Sequence, residues 1–472
     1  MHRTGRRGPA NLSGHSTSIR DDLRTTSGAS TSVTRLTTTR LTTTRRLQAV
    51  AAAVVISAGT LAGTLAATAP AAQAAPGAHC ATPRLAAGWY GENQARLQQL
   101  IDEYGACNPY RPNRAKPVAV FDWDNTVVKN DVGDATMFWL LRNGRIRQPA
   151  AGDWSTTSRH LTPAAARALA DACGTLARPG APLPTGTAEG ADCADEVNAV
   201  YGTAATRTGA AAFAGWDHRT TEPAYAWLPQ LMQGWTAREI RGFAAAARTE
   251  NLAAPVGTKQ QVGTGTATGW VRYYDQQKDL IGGLQKAGFD VWISSASPQP
   301  VVEVWAQGVG VGADHVIGIR NTTSRGGKFT AHLQGCGSVK DGADTMITYI
   351  DGKRCWINKE IFGVRGAAAE KVQPVARRQV FAAGDSDTDI SFLRDATALR
   401  LVVNRNKNEL MCRAYDNSDG KWIVNPMFIE PKKQKATPYP CATTGYVDHD
   451  GTPGPVRRGD ASVIPDQTDS VY

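Results

Sequence analysis

The run at residues 118–126, V-A-V-F-D-W-D-N-T, constrains the fold of this chain more than any other segment. Its four apolar residues predict a buried strand, and Asp122 and Asp124 follow at once, separated by one residue. Beyond the end of a strand the chain turns, so both acids can point into one crevice. Open α/β sheets bind ligands at the carboxyl ends of their strands. Two carboxylates this close repel each other unless a divalent cation lies beside them or one is protonated, an arrangement that suits phosphoryl transfer.

Two later segments repeat the pattern of an apolar strand followed by a polar cluster. Residues 289–293 (F-D-V-W-I) lead into S-S-A-S-P at 294–298, and residues 379–383 (Q-V-F-A-A) lead into G-D-S-D-T-D at 384–389. If the three strands are neighbours in one parallel sheet, their polar clusters converge on a single crevice. The sequence therefore predicts an α/β fold with a Rossmann-like parallel sheet core.

With D-W-D-N-T, S-S-A-S and G-D-S-D-T-D in this order, the chain resembles the haloacid dehalogenase superfamily of aspartate-nucleophile phosphatases. The spacing is most similar to that of its phosphoserine and phosphorylcholine phosphatase branch. The resemblance implies an inserted, mainly helical cap domain between the first and second motifs. The second acid, Asp124, argues against a dehalogenase, which lacks it.

The resemblance also implies catalytic roles. Asp122 would attack phosphorus and form an aspartyl-phosphate, while Asp124 would protonate the leaving oxygen and then activate water. Ser295 would donate a hydrogen bond to the phosphoryl oxygens, and Thr126 would support the first loop. The substrate expected on this basis is a small phosphomonoester.

A magnesium ion is the implied cofactor. Its expected ligands are the carboxylates of Asp122 and Asp385 and the backbone carbonyl of Asp124. Asp389 would either bind the metal directly or hold its ligands in place. A donor set made of oxygens suits a hard cation such as Mg²⁺ rather than zinc.

The third motif of the family is a lysine that steadies the nucleophile and the transferring phosphoryl group. Lys353, Lys359 and Lys371 all precede the third strand. Lys359, within I-N-K-E-I-F, best fits a lysine at the start of a helix, and we therefore predict it as the catalytic lysine. Lys353 and Lys371 remain the alternatives.

The amino-terminal residues have the composition of a leader. Residues 1–46 contain nine arginines, no lysine and two aspartates, a net charge of +7, and residues 47–83 contain no charged residue. Together with the A-Q-A at 72–74, this pattern predicts a basic leader and signal peptide over residues 1–74, by the Sec or twin-arginine route. The alternative is a membrane anchor. We expect a secreted protein without a stable membrane anchor after cleavage.

The positive charge of the chain does not indicate nucleic-acid binding. The whole chain carries +10, of which the leader supplies +7 and the rest +3. The remainder has no basic stripe with interleaved aromatic residues, so a nucleic-acid partner is not expected. The sequence does not indicate an oligomeric state.

The eight cysteines all follow the predicted leader and fall into couples that are close in sequence. An even number in a secreted chain favours disulfides, and no C-x-x-C is present to suggest a zinc or redox site. The predicted pairs are Cys80–Cys107, Cys173–Cys193, Cys336–Cys355 and Cys412–Cys441.

The motifs and composition together predict the domain organisation. Residues 75–133 and 279–442 would form the catalytic core, and residues 134–278, with Ala-rich helical stretches, the cap. Within the core, residues 315–321 and 328–334 predict a hairpin. Residues 443–472 are polar and rich in Pro and Gly, and predict a flexible tail.

The cap contains many aromatic residues, and aromatic faces can cage a quaternary ammonium group. Phosphocholine or a similar small organophosphate is therefore the favoured substrate. The alternative is that these side chains are packing residues. The function would then be that of a broad-specificity, phosphate-scavenging phosphatase, or of a non-catalytic binding protein with this fold. The residues concerned are Trp139, Trp154, Trp216, Trp227, Trp235, Trp270, Tyr225, Tyr273 and Tyr274.

Overall fold

The computed structural model describes residues 81–111 and 115–472. The predicted leader and signal peptide (1–74) lie outside these residues, as does Cys80. Within the described part, no helix has both the length and the apolar character needed to cross a membrane.

The described residues contain a mixture of helices and strands. The helices are α1 (Asn93–Tyr104), α2 (Val132–Arg142), α3 (Pro163–Cys173), α4 (Ala188–Thr203), α5 (Pro223–Leu231), α6 (Ala237–Ala253), α7 (Asp275–Lys286), α8 (Gln299–Ala306), α9 (Asp351–Glu360), α10 (Ile390–Asp395) and α11 (Asn408–Asp416). The strands are β1 (Val118–Phe121), β2 (Val128–Lys129), β3 (Lys259–Val262), β4 (Gly265–Thr268), β5 (Arg272–Tyr273), β6 (Asp290–Pro298), β7 (Val316–Ile319), β8 (Asn321–Thr323), β9 (Phe329–Leu333), β10 (Phe381–Gly384), β11 (Leu399–Asn404), β12 (Trp422–Pro426), β13 (Tyr446–Val447) and β14 (Pro453–Gly454).

A six-stranded parallel sheet forms the centre of the fold, in the order β12-β11-β10-β1-β6-β7. Strand β1 lies between β10 and β6, with Phe121 opposite Ala383 on one side and Ile293 on the other. The three strands that precede the predicted motifs are therefore neighbours, as the sequence led us to expect. The predicted α/β class with a Rossmann-like parallel sheet is confirmed.

Both faces of this sheet are buried, which explains why its strands are almost entirely apolar. Successive side chains point to opposite faces of a strand. Ala119 and Phe121 accordingly pack into one hydrophobic cluster, and Val120 packs into a second cluster on the other face. An uninterrupted apolar run is thus the signature of a strand covered on both sides.

Between β1 and β6 the chain forms helices α2–α7 and a short β3–β4 hairpin. Strands β2 and β5 pair antiparallel, with Val128 opposite Tyr273, where this insertion leaves and rejoins the rest of the chain. The helical content agrees with the expected character of the insertion. Its assignment as a cap with boundaries 134 and 278 stays a prediction.

The predicted hairpin over 315–321 and 328–334 is partly wrong. Residues Val316–Ile319 join the edge of the central sheet as β7, pairing in parallel with β6. The hairpin forms instead between the shorter strands Asn321–Thr323 and Phe329–Leu333. The apolar residues Val316–Ile319 are buried in the central sheet. The chain leaves this sheet after Ile319, so the hairpin begins only at Asn321.

The carboxyl-terminal residues 443–472 pack against the core, and the expectation of a flexible tail does not fit this packing. Val456 and Ile464 are buried in the second hydrophobic cluster. The Asp469 carboxylate is also buried and accepts hydrogen bonds from Asn404 Nδ2 (3.1 Å) and Tyr415 Oη (2.7 Å). Isolated apolar residues and one buried acid anchor the segment, so it has no periodic pattern that the sequence could reveal.

Three of the predicted disulfides are present among the described residues: Cys173–Cys193, Cys336–Cys355 and Cys412–Cys441. Cys107 is also disulfide-bonded. Its predicted partner Cys80 lies outside the described residues, so that pairing stays a prediction.

The Cys412–Cys441 bridge ties the start of the carboxyl-terminal segment to α11. We expect replacing both cysteines by serine to lower the free energy of unfolding by about 3 kcal/mol. The bridge spans 29 residues, and closing a loop of that size in the unfolded chain costs about this much entropy. We also expect residues 443–472 to become sensitive to limited proteolysis, measured by mass spectrometry of the fragments.

The matched control is replacement of Cys173 and Cys193, whose bridge spans 20 residues compared with 29. This pair lies far from residues 443–472 in the sequence and joins α3 to α4. We expect a similar loss of stability in urea denaturation without new cleavage at the carboxyl terminus. Equal cleavage in both variants would contradict the anchoring role of Cys412–Cys441.

Candidate active site

The loop that follows β1 brings Asp122 and Thr126 together. Asn125 adopts a positive φ of 63°, a conformation that asparagine tolerates better than most residues. The amides of Thr126 and Val127 both donate to the Trp123 carbonyl, which closes a tight turn. Trp123 itself is fully buried.

Asp385 and Asp389 enter the same site from the loop after β10. Thr126 Oγ1 lies 2.9 Å from Asp122 Oδ2 and 2.9 Å from Asp385 Oδ1, so its hydroxyl can donate to either acid. Asp389 Oδ2 accepts hydrogen bonds from the amides of Asp385 and Ser386. A Cβ atom on Gly384 would lie 2.7 Å from the Asp389 Cβ. Glycine at 384 therefore lets Asp389 fold back under the loop.

Lys353 is the cation of this site. Its Nζ lies 2.6 Å from Asp122 Oδ1 and 2.6 Å from Asp389 Oδ1, and its side chain is fully buried. Lys353 lies in the first turn of α9. The residue that precedes this helix, Ile350, has a positive φ of 42°. Such a backbone is strained for a β-branched residue. The Ile350 amide donates to the Thr388 carbonyl, which fixes the start of α9 to the Asp389 loop.

The prediction of Lys359 as the site lysine is wrong in the structure. Lys359 Nζ lies 3.3 Å from the Gly335 carbonyl and over the Trp356 ring, not at the acids. Six residues separate Lys359 from Lys353, which places the two side chains about 120° apart around a helix of 3.6 residues per turn. Lys371 is exposed and lies after the helix. The expected lysine at the start of a helix is present, but the helix begins earlier than the sequence suggested.

Burial and neighbouring charges together set the pKa values of Asp122 and Lys353. Burial raises the pKa of Asp122 to about 6, with Lys353 opposing the shift and Asp385 adding to it. Burial by itself would lower the pKa of Lys353, but Asp122 and Asp389 raise it above its ordinary value. Lys353 is therefore a permanent cation between two buried acids.

Asp124 lies in a different environment from Asp122. Its Oδ1 accepts a hydrogen bond from the Val132 amide (2.7 Å), and its Oδ2 accepts one from Ser297 Oγ (2.8 Å). Burial and the nearby Asp131 carboxylate raise the pKa of Asp124 well above its usual range. The raised pKa favours the protonated form of Asp124. Asp122, in contrast, has the Lys353 ammonium group beside it.

The serines of the second motif occupy separate positions. Ser295 is fully buried, and its Oγ lies 3.4 Å from Asp124 Oδ2 while accepting a hydrogen bond from the Ser297 amide. Ser297, which the sequence did not single out, lines the crevice. The structure thus brings Ser295 into the site, with Ser297 as an additional hydroxyl at its surface.

The acids fit a divalent metal ion. Carboxylate oxygens of Asp122, Asp385 and Asp389 lie within 4.8 Å of one another, and all three residues are buried. Hard carboxylate oxygens are the donors that Mg²⁺ prefers. Asp389 already accepts bonds from Lys353 and from two amides, so its contacts suit a residue that holds the site rather than a direct ligand.

A small crevice of about 50 Å³ opens beside Asp122 and Asp124. It adjoins a larger cavity of about 340 Å³, and Asp131, Tyr201, Tyr225 and Arg405 line both. The crevice beside the two acids has room for a reacting group, and the cavity has room for the remainder of a small molecule.

Two acids dominate the wall of the larger cavity. Asp131 begins α2 by accepting a hydrogen bond from the Asp134 amide, and Asp134 Oδ1 accepts one from Tyr201 Oη (2.8 Å). Burial and the Asp134 charge raise the pKa of Asp131 to about 8, and burial raises that of Asp134 to about 6. A cation placed here would favour the ionised form of both acids.

The predicted cluster of aromatic residues divides between cavity and core. Tyr225 lines both cavities and Trp270 lines the larger one. Trp154, Trp227 and Trp235 are buried in the main hydrophobic cluster. Packing therefore accounts for several of the tryptophans that the sequence offered as a cage.

Asp131, Tyr201, Ser297 and Arg405 line the site without having been predicted. Arg405 Nη1 donates to Asp385 Oδ2 at 2.5 Å. It follows β11 directly, so the rule that located the other clusters, a polar residue at the end of an apolar strand, applies to it as well. Tyr201 comes from helix α4 and carries no such signal in the sequence.

Comparison with known protein families agrees with this geometry. Residues 199–394 match the family described as haloacid dehalogenase-like hydrolase. The matched residues include Ser295, Lys353, Asp385 and Asp389, all of which lie in or around the crevice. Over these residues the chain is similar to the haloacid dehalogenase-like hydrolases. Asp122 and Asp124 precede the matched residues, and their place in the site comes from the structure.

Solved structures are similar to this chain at low sequence identity, and the first of them shares its fold. A conserved, functionally unknown protein from Anaerococcus prevotii DSM 20548 is 20% identical, with a TM-score of 0.51 over 73% of this chain and 94% of its own. A protein of unknown function from Bordetella pertussis Tohama I is 17% identical, with a TM-score of 0.38 over 66% and 97%. A substrate-bound phosphoserine phosphatase is 11% identical, with a TM-score of 0.27 over 62% and 87%. No curated protein matches the chain.

We expect Lys353→Met to lower the free energy of unfolding at neutral pH by about 3–5 kcal/mol, because it leaves two buried carboxylates without their counter-charge. Lys359→Met is the matched control and should lower stability by about 1 kcal/mol, because it removes one hydrogen bond and a cation–π contact but leaves no buried charge unpaired. Urea denaturation followed by circular dichroism measures both. Equal losses in the two variants would contradict the placement of Lys353.

The raised pKa of Asp131 predicts a pH effect on the metal-free protein. Its pKa is about 8 in the fold and 3.8 when unperturbed, so the folded state binds more protons between these values. Stability must then fall as pH rises through this window. Above about pH 6 ordinary carboxylates are already ionised, so the fall between pH 6 and 8 reports on Asp131 and groups like it.

Asp131→Asn removes this ionisation but keeps a residue that can cap α2. We expect its stability in EDTA to fall less steeply than that of the wild type between pH 6 and 8, as measured by urea denaturation at several pH values. Parallel curves for the two proteins would show that Asp131 does not titrate in this range.

Proposed function

We propose that this protein is a secreted, Mg²⁺-dependent phosphomonoesterase that works through an aspartyl-phosphate on Asp122. The observation that carries the proposal is the contact of Lys353 with both Asp122 and Asp389, next to a second acid of raised pKa. A nucleophile, a fixed positive charge and a proton donor are what phosphoryl transfer requires.

In the proposed reaction, the Asp122 carboxylate attacks phosphorus and the bond from phosphorus to the leaving oxygen breaks. Asp124 gives its proton to that oxygen, so the alcohol leaves neutral. The resulting Asp124 carboxylate then takes a proton from water, whose oxygen attacks the phosphorus of the aspartyl-phosphate. This step releases inorganic phosphate and restores both acids.

The two acids are suited to these different roles by their surroundings. The neighbouring Lys353 ammonium favours the ionised nucleophile at Asp122. Burial and the nearby Asp131 favour a protonated Asp124. In many enzymes, different surroundings of this kind push the pKa values of two similar groups apart, so that one acts as the acid and the other stays ionised.

The metal and the lysine would share the task of balancing charge. Asp122 and Asp385 would hold Mg²⁺, which neutralises charge on the phosphoryl oxygens when bound. Lys353 would keep the Asp122 carboxylate oriented, and Asp389 would keep Lys353 in place through its 2.6 Å contact. Ser295 and Ser297 each place a hydroxyl group beside the Oδ2 atom of Asp124.

The larger cavity supports an amino-alcohol phosphate such as phosphocholine or phosphoethanolamine as the substrate. Asp131 and Asp134 offer negative charge to a cationic leaving group, and Tyr225 and Trp270 offer aromatic faces. Aromatic faces attract an ammonium group by cation–π interaction, and more strongly where water is excluded. The pairing of acids with aromatics is what distinguishes this cavity from a general phosphate site.

Secretion is part of the proposal. Three disulfides join described cysteines, and structural disulfides persist in oxidising compartments. The composition of residues 1–74 is that of a leader and signal peptide.

The test is hydrolysis of phosphomonoesters by the purified protein, with Mg²⁺ and with EDTA. The panel contains phosphocholine, phosphoethanolamine, phosphoserine, glycerol phosphate, sugar phosphates and p-nitrophenyl phosphate. We expect Mg²⁺-dependent turnover that is lost in Asp122→Asn. Asp124→Asn should lower kcat by about 100-fold or more, since a general acid contributes at least that factor.

Asp131→Asn tests the substrate class within the same panel. We expect kcat/KM for phosphoethanolamine to fall by about tenfold, because a charged hydrogen bond is lost, while glycerol phosphate is little affected. Equal rates for all substrates would keep the mechanism and discard the cation site. Absence of any metal-dependent hydrolysis would instead leave a non-catalytic binding protein.

A further inference from the structure

A second polar cavity, of about 280 Å³, lies among arginines outside the catalytic crevice. Four arginines line it, from α10, β11, α11 and the carboxyl-terminal segment, together with Trp422 at the start of β12. None of these side chains takes part in the proposed reaction. The arginines are Arg394, Arg400, Arg413 and Arg458.

Three of these arginines are already paired with acids. Arg413 donates to Glu409 at 2.7 Å, Arg400 donates to Asp419 at 2.6 Å, and Arg458 contacts Asp416. The carboxylates in the wall are thus engaged by individual guanidinium groups. None of these ion pairs includes the fourth arginine.

Arg394 is that fourth arginine. Its side chain makes no hydrogen bond or ion pair within residues 81–111 and 115–472, and the residue is exposed at the cavity. Surrounding protein and the positive charges of Arg413 and Arg354 outweigh the negative charges of Glu409 and Asp395 and lower the pKa of Arg394 to about 10. The neighbourhood therefore has excess positive charge at the point where all five guanidinium donors of Arg394 are free.

Arg400 supplies a second, buried donor. Its side chain is 9% exposed, and its Nε is buried without a hydrogen-bond partner. Its guanidinium lies over the Trp422 ring, 4.9 Å from the centroid, which holds its plane. A buried donor without a partner is destabilising, so a ligand oxygen that accepted its hydrogen bond would be favoured.

The cavity lies at the opposite end of β11 from the catalytic site. Arg400 is the second residue of β11, and Arg405, which contacts Asp385, follows the last. Five residues of extended strand separate the two arginines by about 16 Å. An ion bound near Arg400 would therefore not touch Asp122 or its partners.

We propose that this arginine-lined cavity is a second binding site, for a small multivalent oxyanion of the phosphate or sulfate class. Arg394 would bind the anion through its planar fork, which matches such oxyanions, and Arg400 Nε would contribute the buried hydrogen bond. The cavity is large enough for a free ion or for a phosphoryl group on a small molecule.

The test is calorimetric titration of the full chain with inorganic phosphate and, separately, with sodium sulfate, in EDTA and at constant ionic strength. Arg394→Gln should weaken binding of both anions by about tenfold or more, as expected for loss of charged hydrogen bonds. The matched control is Arg325→Gln, an exposed arginine in the β8–β9 hairpin loop, which should bind as the wild type does. Both variants replace exposed side chains, and circular dichroism checks that each is folded.

Unchanged affinity in Arg394→Gln would overturn the proposal, since phosphate would then bind elsewhere, including at Asp122. Equal weakening in Arg394→Gln and Arg325→Gln would also overturn it, because the effect would be general electrostatic attraction. Binding of both anions that depends on Arg394 and not on Arg325 would support the site. None of these outcomes depends on hydrolysis, so the test is separate from that of the phosphatase activity.

Discussion

The buried ammonium of Lys353 is the interaction on which the rest of the site depends. Asp122 and Asp389 are both buried, and two carboxylates in such a place would repel each other and lose their hydration. One lysine, 2.6 Å from each, balances both. The pair of contacts also fixes geometry, because Lys353 joins the loop after β1 to the loop after β10 through a helix that belongs to neither.

The parallel sheet explains how segments so distant in sequence supply one site. Its strands all run toward the same edge, so the carboxyl-terminal half of β6 and the loops after β1, β10 and β11 each bring polar residues to one crevice. Opposite ends of one strand then serve different purposes. Arg400, the second residue of β11, lines the arginine-lined cavity, and Arg405, which follows the strand, lines the catalytic crevice. A short, rigid element therefore separates two charged regions.

Local signals predicted the framework of the site well. Asp122 could be placed because it follows an apolar run directly, and Asp385 and Asp389 because they lie within six residues of the end of another. The disulfides Cys173–Cys193 and Cys412–Cys441 could be paired because the partners are close in the chain. Lys359 was preferred to Lys353 because the start of a helix is a weak signal, and an error of six residues turns the side chain away.

The sequence by itself determined the parallel sheet, the strand-end acids and the resemblance to a family, because a buried strand is a run of consecutive apolar residues. Tertiary structure alone decided which lysine meets Asp122, which aromatics face a cavity, and that residues 443–472 pack on the core. Each of these depends on distances between remote segments, such as Tyr201 on α4 reaching Asp134 on α2. No periodicity records such a distance, since it arises only when the helices and the sheet pack together.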